Sequence, residues 1–276
     1  MIRHSRVTED MSTLALHCSG ASGRQWRRLQ DQGAGAIRVI APDLYGTTGA
    51  GQWPGQHAFS LADEAERLLS LPGLQAGRFH LVGHSYGGGA ALKLATMVPD
   101  RIASLTLYEP SAFHLLQLMG PRGRAAFRDI ERVARAVADA LLSGHYRAGA
   151  KSFVDYWNGP GSWDAMKPER QSDVVRSLPK VCLDFRALFE EDTPRSVYGA
   201  LRFPVLVMTG EFTPAPTRVV AEALVSFVPG ARRLSIPGAG HMGPCTHAEA
   251  VNEAILAHIC KAGRAPQRRA LRLEAA

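Results

Sequence analysis

Two rhythms of apolar residues alternate along this chain. Short aliphatic and β-branched runs are followed by stretches whose apolar positions recur at helical spacing. The runs "STLALHCS" (Ser12–Ser19), "AIRVIAPD" (Ala36–Asp43), "FHLVG" (Phe79–Gly83), "IASLTLYEP" (Ile102–Pro110), "FPVLVMTGE" (Phe203–Glu211) and "ARRLSIPG" (Ala231–Gly238) read as strands bounded by turn residues. Ser60 opens a helix, with Asp63 completing a capping box and Leu61, Ala65, Leu68 and Leu69 on one face. "AALKLATMV" gives a second helix behind the third strand. Thr246 with Glu249 predicts another capping box, opening a last helix to about Cys260. Strands alternating with helices predict βαβ units: an α/β fold with a mainly parallel central sheet flanked by helices.

The rhythm breaks from Ala112 to Ala200, where no run reads as a strand. Phe127, Ile130, Ala134, Val137 and Leu141 recur at helical spacing. "WNGPGSW" marks a turn, and "PERQSDVVRSLPKVCLDFRALFEED" reads as two helices divided at Pro179. The expected organisation is a core of residues 1–111 and 201–262, a helical cap inserted at 112–200, and a basic tail at 263–276.

Composition narrows the function classes. A chain of 276 residues, 46% hydrophobic and 21% charged, suits one large globular domain with an inserted subdomain. No apolar run is long enough to span a bilayer. "MIRHSRVTEDMS" has no apolar stretch behind its basic residues, so it does not read as a secretory signal. Cys18, Cys182, Cys245 and Cys260 form no C-x-x-C pair, which argues against zinc and for a reducing compartment; a cytoplasmic address is expected. The net charge of +7 raises nucleic acid or acidic membranes as partners. Yet the basic residues bunch only in "KAGRAPQRRALRLEAA", which reads as a solvated, disordered tail, and no nucleic-acid module is present. No nucleotide or metal motif appears, so no cofactor is expected, and the partner is a small-molecule substrate. Monomer and homodimer both stay open.

The chemistry begins at Gly83-His84-Ser85-Tyr86-Gly87, a G-x-S-x-G between a predicted strand and a predicted helix. An ordinary tight turn is the plainer reading of five such residues, but the strand–turn–helix context favours a nucleophile elbow. There the serine hydroxyl is lifted to the sheet edge, and the N–H of Tyr86 is free for an oxyanion. A serine needs a base. His241, in "IPGAGHMGP" after the last predicted strand, lies where a parallel sheet builds its sites, and the order Ser…His fits. His17, His80 and His84 read as structural.

Together "LHCSG…W" (Leu16–Trp26), "VIAPDLYG" (Val39–Gly46), "GHSYGGG", "FPVLVMTGE" and "GAGHMGP" resemble the α/β-hydrolase fold family, in its serine-nucleophile branch. Serine at the elbow sets the chain apart from epoxide hydrolases and haloalkane dehalogenases of that fold, which use Asp. The resemblance implies an oxyanion hole formed by the amides of Tyr86 and Ser19. Cys18 stands where relatives carry glycine and reads as a buried filler. Relatives usually place the third triad member, an Asp, just after the strand "PVLVMTGE". Here the run is Gly210-Glu211-Phe212-Thr213, and Thr213 carries no charge. Glu109, at the end of "LTLYEP" on the same sheet edge, is the leading candidate; Glu211, Asp43 and no acid at all remain alternatives.

The cap is expected to roof an apolar pocket lined by Tyr86, Phe113, Trp157, Trp163 and Phe212, although core packing explains each as well. The expected activity is that of a serine hydrolase, carboxylesterase-like, cleaving an ester or a C–C bond beside a ketone in a small, mostly apolar substrate. A cofactor-free lyase or oxygenase, and a catalytically weak ligand-binding relative, are the alternatives.

Overall fold

The computed structural model describes residues 11–55 and 57–264. The N-terminal decapeptide and the tail beyond residue 264 lie outside the described residues. Six strands are present: β1 (Ser12–Leu16), β2 (Arg38–Ile40), β3 (Phe79–His84), β4 (Ile102–Tyr108), β5 (Val205–Gly210) and β6 (Arg232–Ile236). They form one sheet in the order β2-β1-β3-β4-β5-β6, and every pairing is parallel. Side chains alternate across it with period two. Leu81, Leu105, Leu107, Val205 and Val207 face one apolar core, while Val82, Tyr108, Leu206 and Met208 face another.

The helices are α1 (Arg27–Gly33), α2 (Leu61–Leu69), α3 (Tyr86–Met97), α4 (Gly120–Leu142), α5 (Tyr146–Asn158), α6 (Pro168–Glu190), α7 (Arg195–Ala200), α8 (Ala215–Phe227), α9 (Gly243–Thr246) and α10 (Ala248–Arg264). The apolar residues of α2, α3 and α8 fill the first core, and those of α1 and α10 fill the second. Ser60 caps α2: its hydroxyl accepts from the Asp63 N–H at 3.3 Å, and the Asp63 carboxylate accepts from the Ser60 N–H at 2.8 Å. Helices α4 to α7 occupy the chain between β4 and β5, with no strand among them. Among the described residues, no helix is long and apolar enough to cross a membrane.

Two expectations are corrected. Pro179 does not divide a helix pair; α6 runs through it. A proline inside a helix costs about 3 kcal/mol. Leu178, Val181, Phe185 and Leu188 flank it on the buried face, and each such burial stabilises by roughly 1.5–3 kcal/mol. Thr246 caps no helix either. It is the last residue of α9, and its hydroxyl donates to the Met242 carbonyl at 3.2 Å. Helix α10 starts at Ala248 and continues past Cys260 to Arg264.

Candidate active site

Ser85 sits between the last residue of β3 and the first of α3, with φ of 55°. The turn is tight enough that only glycine fits beside it. A Cβ on Gly83 would lie 2.4 Å from the Gly87 carbonyl, and one on Gly87 would lie 2.4 Å from the His17 carbonyl. Glu109, one residue past β4, is the other non-glycine residue with positive φ among those described, at 42°. Such backbone costs of order 1–3 kcal/mol per residue and persists only where neighbours fix it. Here they do: the Ser85 N–H donates to the Tyr108 carbonyl at 3.1 Å, the Glu109 N–H to Met208 at 2.9 Å, and the Ser111 N–H to Ser85 at 3.0 Å.

His241 arrives from the loop after β6. That loop is tied to the sheet edge at several points. The His84 ring donates Nε2–H to the His241 carbonyl at 2.9 Å, and Tyr108 donates its hydroxyl to the Gly240 carbonyl at 2.7 Å. The Phe212 N–H donates to Ala239 at 2.9 Å, and the Glu211 carboxylate accepts from the Gly238 N–H at 2.8 Å. So held, His241 Nε2 lies 3.0 Å from Ser85 Oγ, and Nδ1 lies 2.8 Å from Glu109 Oε2. An ionised carboxylate can only accept, which puts the proton on Nδ1 and leaves Nε2 to accept from the serine.

Glu109 is fully buried. Its Oε1 accepts from the Gly210 N–H at 2.8 Å and from the Thr213 hydroxyl at 2.6 Å; Thr217 donates to Oε2 at 3.2 Å. Burial pushes the carboxyl's pKa up, but hydrogen bonds from His241, Thr213 and Gly210 outweigh it and hold the group below its usual range. Thr213 therefore turns its hydroxyl toward the Glu109 carboxylate. The other two carboxylates considered are engaged elsewhere: Glu211 on Gly238, and Asp43 on the Gly23 and Gly49 N–H groups at 2.8 and 3.2 Å.

The histidines that read as structural are all locked by their partners or by burial. His17 Nδ1–H donates to the Cys18 carbonyl at 2.8 Å, and its Nε2 accepts from the Leu44 N–H at 3.1 Å; burial lowers its pKa to about 4. His84 is held well below its ordinary value by burial. Cys18 is buried, and burial pushes its thiol far up, so it stays protonated.

Tyr86 opens α3, where an N–H has no carbonyl a turn behind it. The Cys18 N–H is spoken for by Gln25 at 3.1 Å, whereas the Ser19 N–H has no acceptor among the described residues. Ser19, Ser85, Ser111, Phe113, Phe153, Trp157, Asp184, Phe185 and Leu188 line a small cavity at Ser85, with about 10 Å³ of free space, room for roughly one water. Trp157, from α5, stacks on the His241 ring at 4.1 Å between centroids.

Three residues expected in the pocket do not line this cavity. Phe212 is 69% exposed on the turn after β5. Trp163 is buried in the α5–α6 turn, beneath Arg147. Tyr86 points away from the small cavity; its hydroxyl donates to Glu64 Oε2 at 2.9 Å. Conversely, Ser111, Phe153, Asp184, Phe185 and Leu188 escaped the sequence reading. Only Ser111, two residues past Glu109 on the same edge, carried a local signal. Its Oγ lies 3.3 Å from that of Ser85.

A profile of the α/β-hydrolase fold family matches residues 14–248, most of the chain and all six strands but the start of β1. The chain belongs to the α/β-hydrolase fold family. It is 27% identical over 266 residues to the protein of Caulobacter sp. (strain K31) named "Putative carbamate hydrolase RutD"; the match covers 92% of each protein. Among solved structures, this α/β-hydrolase is similar to a hydrolase from Pseudomonas aeruginosa PA01, with TM-score 0.69, 25% identity and 90% of each chain covered. Its fold also matches carboxylesterase CesB of Bacillus subtilis, with TM-score 0.66, 20% identity, 91% of this chain and 85% of that one.

Proposed function

We propose that the protein is a serine hydrolase of short-acyl carboxylic esters, with Ser85 as nucleophile, His241 as general base and acid, and Glu109 as the acid that orients the imidazole. What carries the reading is the unbroken hydrogen-bonded line from Ser85 Oγ through His241 to Glu109, at 3.0 and 2.8 Å. Family membership supports hydrolysis as the reaction class. His241 takes the proton of Ser85 as its oxygen attacks the carbonyl carbon. The N–H groups of Tyr86 and Ser19 stabilise the oxyanion. His241 then protonates the leaving alcohol, and water repeats the cycle on the acyl-enzyme. Helices α4 to α7, over 112–200, act as the cap, and their aromatic residues limit the acyl group. The likeness to RutD makes carbamates a second class to assay, since the same attack on carbon applies.

A panel of p-nitrophenyl acyl esters tests this against wild type and Ser85→Ala. The expected result is turnover of acetate and butyrate by wild type, background rates in Ser85→Ala, and fluorophosphonate labelling at Ser85 alone. Equal background rates from both proteins, without labelling, would overturn the reading.

A further inference from the structure

Outside the Ser85–His241–Glu109 line, a buried polar cluster joins α6 to the loop after β1. Asp184 is buried in the wall of the Ser85 cavity. Its Oδ2 accepts from the Ser19 hydroxyl at 2.7 Å, and its Oδ1 pairs with Lys180. Lys180 in turn lies 3.6 Å from Glu64 Oε2, and its ammonium sits over the Tyr86 ring, 4.2 Å from the centroid. Glu64, fully buried on α2, also accepts from the Tyr45 N–H at 3.1 Å and from the Tyr86 hydroxyl at 2.9 Å. One chain of contacts thus runs from the core helix α2 through α6 to Ser19.

Helix α6 also touches the backbone of the loops it spans. A Cβ on Gly20 would lie 3.1 Å from Ser177 Oγ, and one on Gly46 would lie 2.5 Å from Lys180 Cγ. Buried charges of this kind carry a large desolvation cost, and replacement by apolar residues is often neutral or stabilising. Stability alone does not account for two carboxylates and a lysine here. What the cluster does fix is the position of Ser19.

We propose that Asp184, anchored by Lys180, is a positioning residue: it fixes the oxyanion loop by holding the Ser19 hydroxyl, so that the Ser19 N–H faces the carbonyl attacked by Ser85. This rests on the hydrolase reading above. It makes assembly of the oxyanion hole depend on the docking of α6. An oxyanion donor is effective only when aimed at the developing charge, and a displacement of about 1 Å costs on the order of 100-fold in rate. Ser19 presents that donor from a loop, which by itself offers no such precision.

The test compares Ser19→Ala, Asp184→Leu, Asp184→Asn and the double variant Ser19→Ala/Asp184→Leu on p-nitrophenyl acetate. Both Ser19→Ala and Asp184→Leu should lower kcat by about 10- to 100-fold with KM within about threefold. Asp184→Asn, which keeps an oxygen for the Ser19 hydroxyl, should recover most of that loss. The double variant should be no slower than the slower single variant, because both remove one contact. A residue that merely stabilised α6 would give additive losses, or none. Full kcat in either single variant, or additivity in the double one, overturns the proposal while leaving Ser85-dependent turnover, and so the hydrolase reading, intact. Amide hydrogen exchange over residues 17–22 decides the matter independently of turnover. Exchange should speed at least about tenfold in Ser19→Ala and Asp184→Leu, with β3 and β4 unchanged; unchanged exchange in the loop overturns the proposal even if the wild type hydrolyses no ester.

Discussion

At the residue scale, the informative exchange is between positions 109 and 213. Thr213 stands where the family resemblance implies an acid, and its hydroxyl donates to the Glu109 carboxylate at 2.6 Å. A carboxylate in that cavity must satisfy both oxygens, and Glu109 does so with Gly210, Thr213, Thr217 and His241. Because these contacts hold Glu109 ionised below the usual carboxylate range, removing its charge should cost rate at every pH rather than shift a limb of the profile. Glu109→Gln should lower kcat by about 10³–10⁴-fold, the scale of losing a triad acid while keeping its shape. Adding Thr213→Asp to that variant should recover at least about tenfold, since it returns a negative charge to the site that the Glu109 carboxylate fills, next to the group that His241 bonds. Thr213→Asp alone should instead slow the enzyme, because two carboxylates would share one buried site. Steady-state kinetics on p-nitrophenyl acetate between pH 5 and 9 checks all three. A double variant no faster than Glu109→Gln would mean the imidazole cannot be oriented from position 213.

At the element scale, helices α5 and α6 contribute Phe153, Trp157, Phe185 and Leu188 to the lining of the small cavity. Trp157 both covers the His241 ring and bounds the space beside Ser85. Trp157→Ala should therefore raise the kcat/KM ratio of octanoate to acetate esters by at least about tenfold, given that a pocket discriminates by about 1–3 kcal/mol per methylene. A chain-length series on wild type and variant measures it; an unchanged ratio would place the acyl group elsewhere. The individual strands, the Ser60 capping box and the strand–turn–helix at Ser85 were legible in the sequence because each leaves a pattern within a few residues; the parallel pairing itself joins distant residues and followed only from the alternation of strands with helices. The contribution of α5 and α6 was not legible. Asp184 shows only a local i, i+4 partner in Lys180, and Ser19 lies 165 residues away from it. Trp163 and Phe212 misled for the same reason: an aromatic residue near a turn does not say which way it points. Pro179 misled because breaking a helix is a local rule, and α6 continues through it with apolar residues buried on the flanking turns.

At the scale of the whole molecule, the buried histidines set the acid limit of stability. Burial lowers His17, His80 and His114 to about 4, and holds His84 well below its ordinary value. The unfolded chain titrates these near 6.5, so it binds protons that the folded protein refuses. Their contribution is complete above about pH 6.5 and is lost as pH falls toward the folded values, at about 1.4 kcal/mol per histidine per pH unit. Asp184 opposes them. Burial raises it to about 6, so the folded state gains a proton first and is stabilised by about 1.4 kcal/mol per unit as pH falls from there. These four histidines alone outweigh the aspartate, leaving a net loss of about 4 kcal/mol per pH unit at its steepest, and His258, also lowered by burial, adds in the same direction. Summed between pH 6.5 and pH 4 that loss is on the order of 10 kcal/mol, the same size as a typical domain stability of about 5–15 kcal/mol, so stability should fall steeply over this range. Urea unfolding followed by tryptophan fluorescence should give a flat midpoint between pH 7 and 8 and a steep fall between pH 6 and 4.5. Removing Asp184's opposition in Asp184→Asn should steepen that fall by about one proton. His80→Asn, which deletes a ring nitrogen that has no partner among the described residues, should relax it by about one proton. A midpoint that stays level to pH 5 would show that these imidazoles take up protons inside the fold, and that the sheet's polar interior is wetter than the contacts of His17, His80 and His84 imply.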